Sequence, residues 1–353
     1  MASKVTQAAS VGWKLGTQLG QGGQGDVFLA VRETEPEGPK HAFKFLNDKG
    51  SPKARDRFRQ ELRALTSVDH PGIVKVIQYA QPDDKFQYYV MEYVDEAENL
   101  GKRIARKTNP FSKDPLKAVD GFIQIVEALA ACEKLGIVHR DLSLANVLVT
   151  DAGRILLIDF GLCHFEDGQT ITLTEEAVGT PHYRSPECSG HSQREPTIQA
   201  DFYSTGKILW SMITNKVAFD REKPVFNDLS LAKALPDVTM SWHFHHIFEY
   251  TIRQDPNSRY ANASQALDGA RKVRQLIVDG YKPLEILSGD KCPVCGVGTY
   301  QYAATPYQSA LDKFNRSMLN LRRAYVVCSY CFHASFQAEE AQRQALAYRK
   351  NLE

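Results

Sequence analysis

The hydrophobic period changes near Asp95, and that change constrains the fold most. From Trp13 to about Val90, short apolar runs alternate with Gly and Pro turns: Lys14 to Leu19, Val27 to Arg32, His41 to Phe45, Ile73 to Tyr79 and Phe86 to Tyr93. These read as strands. One helix interrupts them, Lys53 to Val68, where Phe58, Leu62 and Leu65 recur at helical spacing between charges. Beyond Asp95 the helical period takes over. Phe122, Ile123, Val126, Leu129 and Ala130 share one face of Val119 to Leu135, and helices are expected over Asp201 to Thr214, Phe244 to Arg253 and Ala263 to Val278. Val147–Val149 and Ile155–Ile158 read as short strands, and the Thr-rich stretch 166–180 as a loop. The expected class is α+β, with a small sheet-rich lobe over residues 13–94 and a larger helical lobe over 95–280. Residues 1–12 are small and polar, the composition of a mobile lead-in, and a separate module is expected over 284–353.

Length and charge agree with this division. The 353 residues, 43% of them apolar, are enough for about two domains. Lys plus Arg is 43 and Asp plus Glu 42, a balance that argues against a protein organised around non-specific nucleic-acid binding. Apolar runs such as Ile155 to Ile158 fall far short of a membrane span, and the first ten residues lack the apolar core of an export signal. The expected setting is the cytoplasm.

The Gly20-Gln21-Gly22-Gly23-Gln24-Gly25-Asp26-Val27 run fits a loop whose backbone N–H groups approach a phosphate chain. It leads into a strand, so a dinucleotide fold, which needs a helix there, is not indicated. Lys44 follows on the next strand, and Glu61, seventeen residues on, is placed to pair with it. Next come His139-Arg140-Asp141-Leu142-Ser143-Leu144-Ala145-Asn146, Asp159-Phe160-Gly161, Ser185-Pro186-Glu187, Asp201 through Gly206, and Arg259. In this order and spacing the motifs resemble those of the eukaryotic-type protein kinase family, over about Trp13 to Val278.

The resemblance implies a bilobal kinase fold and transfer of the ATP γ-phosphoryl group to a protein hydroxyl. Asp141 would orient the acceptor hydroxyl and take its proton, Asn146 and Asp159 would hold Mg²⁺, and Lys44, with Glu61 as its orienter, would touch the phosphates. Gly20, Gly22, Gly23 and Gly25 would cover the phosphates. Val27, Ala42 and Leu148 would sandwich the adenine, beside Glu92 and Val94, with Met91 guarding the back of the pocket. Glu187 and Arg259 would form a buried structural pair. His139, Phe160, Leu65 and Val76 match the family's regulatory hydrophobic stack, which is also plain core packing. Gly179-Thr180 resembles the serine/threonine-specific segment, with tyrosine or dual activity left open. Arg140 suggests control by phosphorylation in the loop, with Thr170, Thr172 and Thr174 as self-phosphorylation candidates.

One position departs from the family. Ser143 stands where serine/threonine kinases usually carry a lysine, and Ala145 offers no cation in its place. A slower kinase, a kinase that recruits another cation and a pseudokinase scaffold are the three readings this raises. A small-molecule phosphotransferase fits less well, since such enzymes lack the Ser185-Pro186-Glu187 segment.

Cys132, Cys163 and Cys188 are scattered and read as free thiols, whereas Cys292, Cys295, Cys328 and Cys331 form two C-x-x-C pairs. Two such pairs supply four thiolates to a tetrahedral, structural zinc site. The arrangement resembles a zinc ribbon, with 32 residues between Cys295 and Cys328, and a helix is expected there from Leu311, Phe314, Met318 and Leu321. His333 is surplus to four thiolates. A closing helix is expected over Ala338 to Leu352. Residues 284–353 carry eight Lys/Arg and six Asp/Glu, too even for a nucleic-acid partner, so protein docking is the favoured role. A nucleic-acid-binding zinc protein with a kinase-like regulatory domain is the remaining alternative.

Overall fold

The computed structural model describes residues 3–21, 25–46, 52–160, 163–165, 182–188, 196–219, 231–235, 237–238, 240, 243–280, 300–302, 325–328 and 334–336. Residues 1–221 with 246–275 form one compact unit, and residues 222–245 with 276–353 a second. Each is described by itself.

The first unit opens with a helix, α1 (Lys4–Ala9), capped by the Ser3 side chain, which accepts from Thr6 N. Composition alone suggested a mobile lead-in here. Instead Ala8 is fully buried against Trp13, Phe43, Phe45, Tyr88 and Val90. These residues form the core of an antiparallel sheet of β1 (Trp13–Gln21), β2 (Gly25–Arg32), β3 (His41–Leu46), β4 (Val76–Tyr79) and β5 (Tyr88–Glu92), ordered β1-β2-β3-β5-β4. Helix α2 (Pro52–Ser67) lies between β3 and β4 in the chain, as its apolar spacing predicts. Ile73 does not extend β4. It bridges Leu157 in parallel, a pairing between distant residues that local pattern cannot reveal.

The helical part begins with a short β6 (Glu98–Asn99) and α3 (Leu100–Arg106), where the Asn99 side chain accepts from Lys102 N. Helix α4 (Pro115–Glu133) starts at an Asp114 cap with Pro at its first position, where a missing N–H costs nothing. β7 (Ile137–Val138), β8 (Val147–Val149), β9 (Ile155–Leu157) and β10 (His164–Phe165) flank the loops that carry the motif residues. β6, β8 and β9 form one small sheet, and β7 pairs with β10. Helix α5 (Ile198–Thr214) begins three residues before the expected Asp201 and is buried along nearly all its length. A four-residue α6 (Leu231–Ala234) follows; α7 (Phe244–Glu249) ends before the expected Arg253, and α8 (Ala263–Val278) runs as the pattern predicts.

In the second unit, β11 (Tyr300–Tyr302), β12 (Tyr325–Cys328) and β13 (Ala334–Phe336) form an antiparallel sheet in the order β11-β12-β13. The expected helices around Leu311–Leu321 and Ala338–Leu352 lie outside the described residues, as do Cys292, Cys295, Cys331 and His333. Of Cys328 the backbone alone is described. No helix among the described residues is long and apolar enough to cross a membrane. Cys132, Cys163 and Cys188 are free and buried.

Candidate active site

Strand β3 delivers Lys44. In the sheet register Lys44 sits opposite Val27 on β2 and Tyr89 on β5. Its Nζ lies 2.7 and 2.8 Å from the two oxygens of Glu61, which α2 presents from a fully buried position. Burial opposes the Lys44 ammonium, but Glu61 and Asp159 outweigh it and raise the Lys44 pKa. A buried charge pair of this kind persists only with good geometry and further hydrogen bonds. The further bond comes from Tyr89, whose hydroxyl donates to Glu61 Oε1 at 2.8 Å. Sequence reasoning missed Tyr89.

The Asp141 and Asn146 loop lies between β7 and β8. Its entry is fixed from below by Asp201 of α5, which accepts from His139 N at 2.7 Å and Arg140 N at 2.8 Å. Arg140 takes φ 65° and Asp159 φ 63°, the left-handed region that side chains other than glycine enter at a cost. Asn146 donates through Nδ2 to the Asp141 carbonyl at 2.8 Å and to Asp141 Oδ2 at 3.3 Å. Ile158 N donates to Asn146 O at 3.0 Å, which brings Asp159 alongside Asn146. The Asp159 carboxylate is one-third exposed and its Oδ1 is 3.9 Å from Lys44 Nζ. A carboxylate and an amide oxygen side by side, one open to solvent, are a donor set suited to a hard divalent cation such as Mg²⁺.

Asp141 itself is raised to about 6, by burial first and by Asp159 as a like charge, against the pull of Arg184. Arg184 Nη2 donates to Asp141 Oδ1 at 3.2 Å. This contact was also outside what the motifs indicate.

The other expected residues fall around the same cleft. Ala42 is buried, while Val27, Met91, Glu92, Val94 and Leu148 are half-buried. Partial exposure suits residues that line an open slot. At Gly25 a Cβ would lie 2.1 Å from the Phe45 carbonyl oxygen, so no side chain fits where β2 leaves the turn. At Gly20, on β1, a Cβ would meet nothing within 4 Å among the described residues. Gly22, Gly23, Thr180 and the three threonines at 170, 172 and 174 lie outside the described residues. Glu187 meets Arg259 through two bonds of 2.5 and 3.0 Å, and His139 packs on Phe160 with ring centroids 4.4 Å apart.

Residues 13–270 match the family model of the protein kinase domain. The chain belongs to the protein kinase family. This kinase domain is 31% identical over 254 residues to the serine/threonine-protein kinase PrkC of Bacillus subtilis, covering 69% of this chain and 38% of PrkC. It is 30% identical over 243 residues to a probable serine/threonine-protein kinase of Clostridium perfringens, covering 66% of this chain and 34% of that protein. The chain therefore spans well under half the length of these curated relatives. The kinase domain of Mycobacterium tuberculosis PknI shares the fold, with a TM-score of 0.56 at 22% identity over 74% of this chain and 95% of that one.

Proposed function

We propose that the chain is a protein serine/threonine kinase that uses ATP and Mg²⁺. The observation that carries this reading is the assembled charge set: Lys44 bound by Glu61, Asp159 at 3.9 Å from the same ammonium, and Asn146 bonded to Asp141. A scaffold without catalysis has no need to keep a buried ion pair and a one-third-exposed carboxylate together. The serine/threonine names of the relatives support the acceptor class.

In this reading Lys44 binds the phosphates and Glu61 holds it there. Asp159 and Asn146 would hold Mg²⁺, which supplies neutralisation of the phosphate charge when bound. Asp141 orients the acceptor hydroxyl and takes its proton. Thr170, Thr172 and Thr174 are the proposed self-phosphorylation sites. The direct experiment is incorporation of labelled phosphate from ATP with Mg²⁺, followed by phosphoamino-acid analysis and site mapping. Wild type should label on serine and threonine, and Asp159→Asn and Asp141→Asn should not. A folded wild type that binds nucleotide without transferring phosphate would establish the pseudokinase alternative.

For residues 284–353 we propose a structural zinc bound by Cys292, Cys295, Cys328 and Cys331. The register supports it: Tyr300 at the start of β11 pairs with Cys328 at the end of β12. In sequence, Cys295 precedes Tyr300 by five residues and Cys331 follows Cys328 by three, so both pairs adjoin the strand ends that this register brings together. A closed thiolate shell gives a docking module for a protein partner, in the cytoplasm, where thiols stay reduced. One zinc per chain by elemental analysis, lost in Cys328→Ser, is the expected result; a metal-free, equally stable wild type would remove the proposal.

A further inference from the structure

The acceptor end of the cleft has an unusual charge balance. Asp141 has a side chain 15% exposed, and a carboxylate so enclosed needs a counter-charge. Lys44 is taken up by Glu61. Ser143, two residues on from Asp141, is neutral and buried. A cation reaches Asp141 instead from Arg184, forty-three residues away in sequence, at 3.2 Å.

Arg184 reaches that position because its neighbours are tied down on both sides. The carbonyl oxygen of His182 accepts from the fully buried Lys207 of α5 at 2.5 Å. The Tyr183 hydroxyl shares a 2.8 Å bond with Ser211 Oγ and accepts from Ala218 N at 2.9 Å. On the far side, Ser185 is buried and Glu187 is clamped by Arg259. A stretch held at three successive points presents the intervening guanidinium in one place. The two carboxylate oxygens are then divided: Oδ1 faces Arg184 and Oδ2 faces Asn146.

We infer that Arg184 is a positioning residue for phosphoryl transfer, orienting the Asp141 carboxylate and supplying the positive charge that position 143 does not. The inference rests on the kinase reading and extends it. It makes the acceptor-side segment part of the catalytic unit: a shift of residues 182–188 removes the cation from Asp141. It also gives the chain a reason to do without a lysine at 143, since two cations on one carboxylate would repel each other.

The test separates kcat from KM in Arg184→Gln, Arg184→Lys and the double variant Ser143→Lys/Arg184→Gln. Arg184→Gln should lower kcat about 100-fold, the scale of losing one charge-stabilising donor, with KM for ATP changed less than about twofold. Arg184→Lys should recover about tenfold of that, and so should Ser143→Lys in the Arg184→Gln background, by returning a cation from the other side. An unchanged or increased kcat in Arg184→Gln would overturn the inference, because the contact would then be idle or a lock on Asp141. A second measurement needs no turnover: urea unfolding of Arg184→Gln, Asp141→Asn and the double variant. Effects that fail to add support a working contact, and strictly additive effects overturn it. If wild type transfers no phosphate, the kinase reading fails on its own, while this cycle still decides the Arg184–Asp141 contact.

Discussion

The Tyr89 hydroxyl donates to Glu61 Oε1 at 2.8 Å, so the carboxylate that orients Lys44 is itself held from a neighbouring strand. Phe58 of α2 packs on the Tyr89 ring with centroids 5.3 Å apart, which fixes the ring over the helix that carries Glu61. Tyr89→Phe keeps the ring and deletes the bond. A buried, charged acceptor that loses one donor costs about 1–3 kcal/mol. Since Lys44 still bonds the same oxygen, the lower end of that range is expected in urea unfolding. Kinase activity should fall severalfold, through looser placement of Lys44 on the phosphates, and titration with ATP should show weaker binding.

The Glu187–Arg259 pair predicts first a loss of stability. Arg259 has its side chain fully buried and also donates to the carbonyl oxygens of Gln199, Arg253 and Gln254. Glu187→Ala leaves the guanidinium buried without its carboxylate, a change that costs about 3–5 kcal/mol. Glu187→Gln retains two acceptor lone pairs and should cost less. Because residues 182–188 carry Arg184, Glu187→Ala should also lower kcat at temperatures where the protein is still folded.

Packing of the N-terminal helix gives a third test. Ala8 is fully buried in the sheet's aromatic core, and Lys4 pairs with Asp26, where β2 leaves the glycine turn. Lys4 is also within cation–π range of Phe28 and Phe45, 5.9 Å from each ring. Ala8→Asp forces a carboxylate among Trp13, Phe43 and Tyr88 and should cost about 2–4 kcal/mol in chemical unfolding. Lys4→Met keeps most of the packing and should cost under about 1 kcal/mol, the range of a part-exposed ion pair. An equal Tm for wild type and Ala8→Asp would mean that α1 does not pack in solution.

These three cases mark what sequence could and could not supply. Lys44, Glu61, Asp141, Asn146, Asp159, Glu187 and Arg259 were legible because they stand in ordered motifs that resemble those of the protein kinase family, and the resemblance implies a place for each. Tyr89 was not, because an aromatic residue on a strand reads first as core, and its hydroxyl partner is 28 positions away. Arg184 was not, because nothing local links it to Asp141; the link runs through the anchoring of its neighbours on α5. Helix α1 was missed because a single buried alanine among polar residues leaves no apolar stripe. Helix α3 is one capped stretch of seven residues, too short for periodicity to show. The same limit explains Ile73, whose partner Leu157 lies on the far side of α4 in the chain.

Acid sensitivity supplies the last prediction, through His139. Its ring is fully buried on Phe160, and burial lowers its pKa to about 4 despite the nearby Asp159 and a 3.3 Å contact with the Ile158 carbonyl oxygen. The unfolded chain takes up this proton near pH 6.5, while the folded protein resists it until about pH 4. Stability from the neutral ring is therefore complete above pH 6.5 and drains away as pH falls through that window, by about 3 kcal/mol in total. Asp201 runs the other way, since burial raises it to about 7 and protonation relieves it. The informative quantity is the difference between wild type and His139→Phe, which keeps an aromatic ring against Phe160 but cannot titrate. Urea unfolding at pH 7.5 and at pH 4.5 should show wild type losing more stability than the variant, and parallel pH profiles for the two proteins would rule out a buried neutral imidazole at this position.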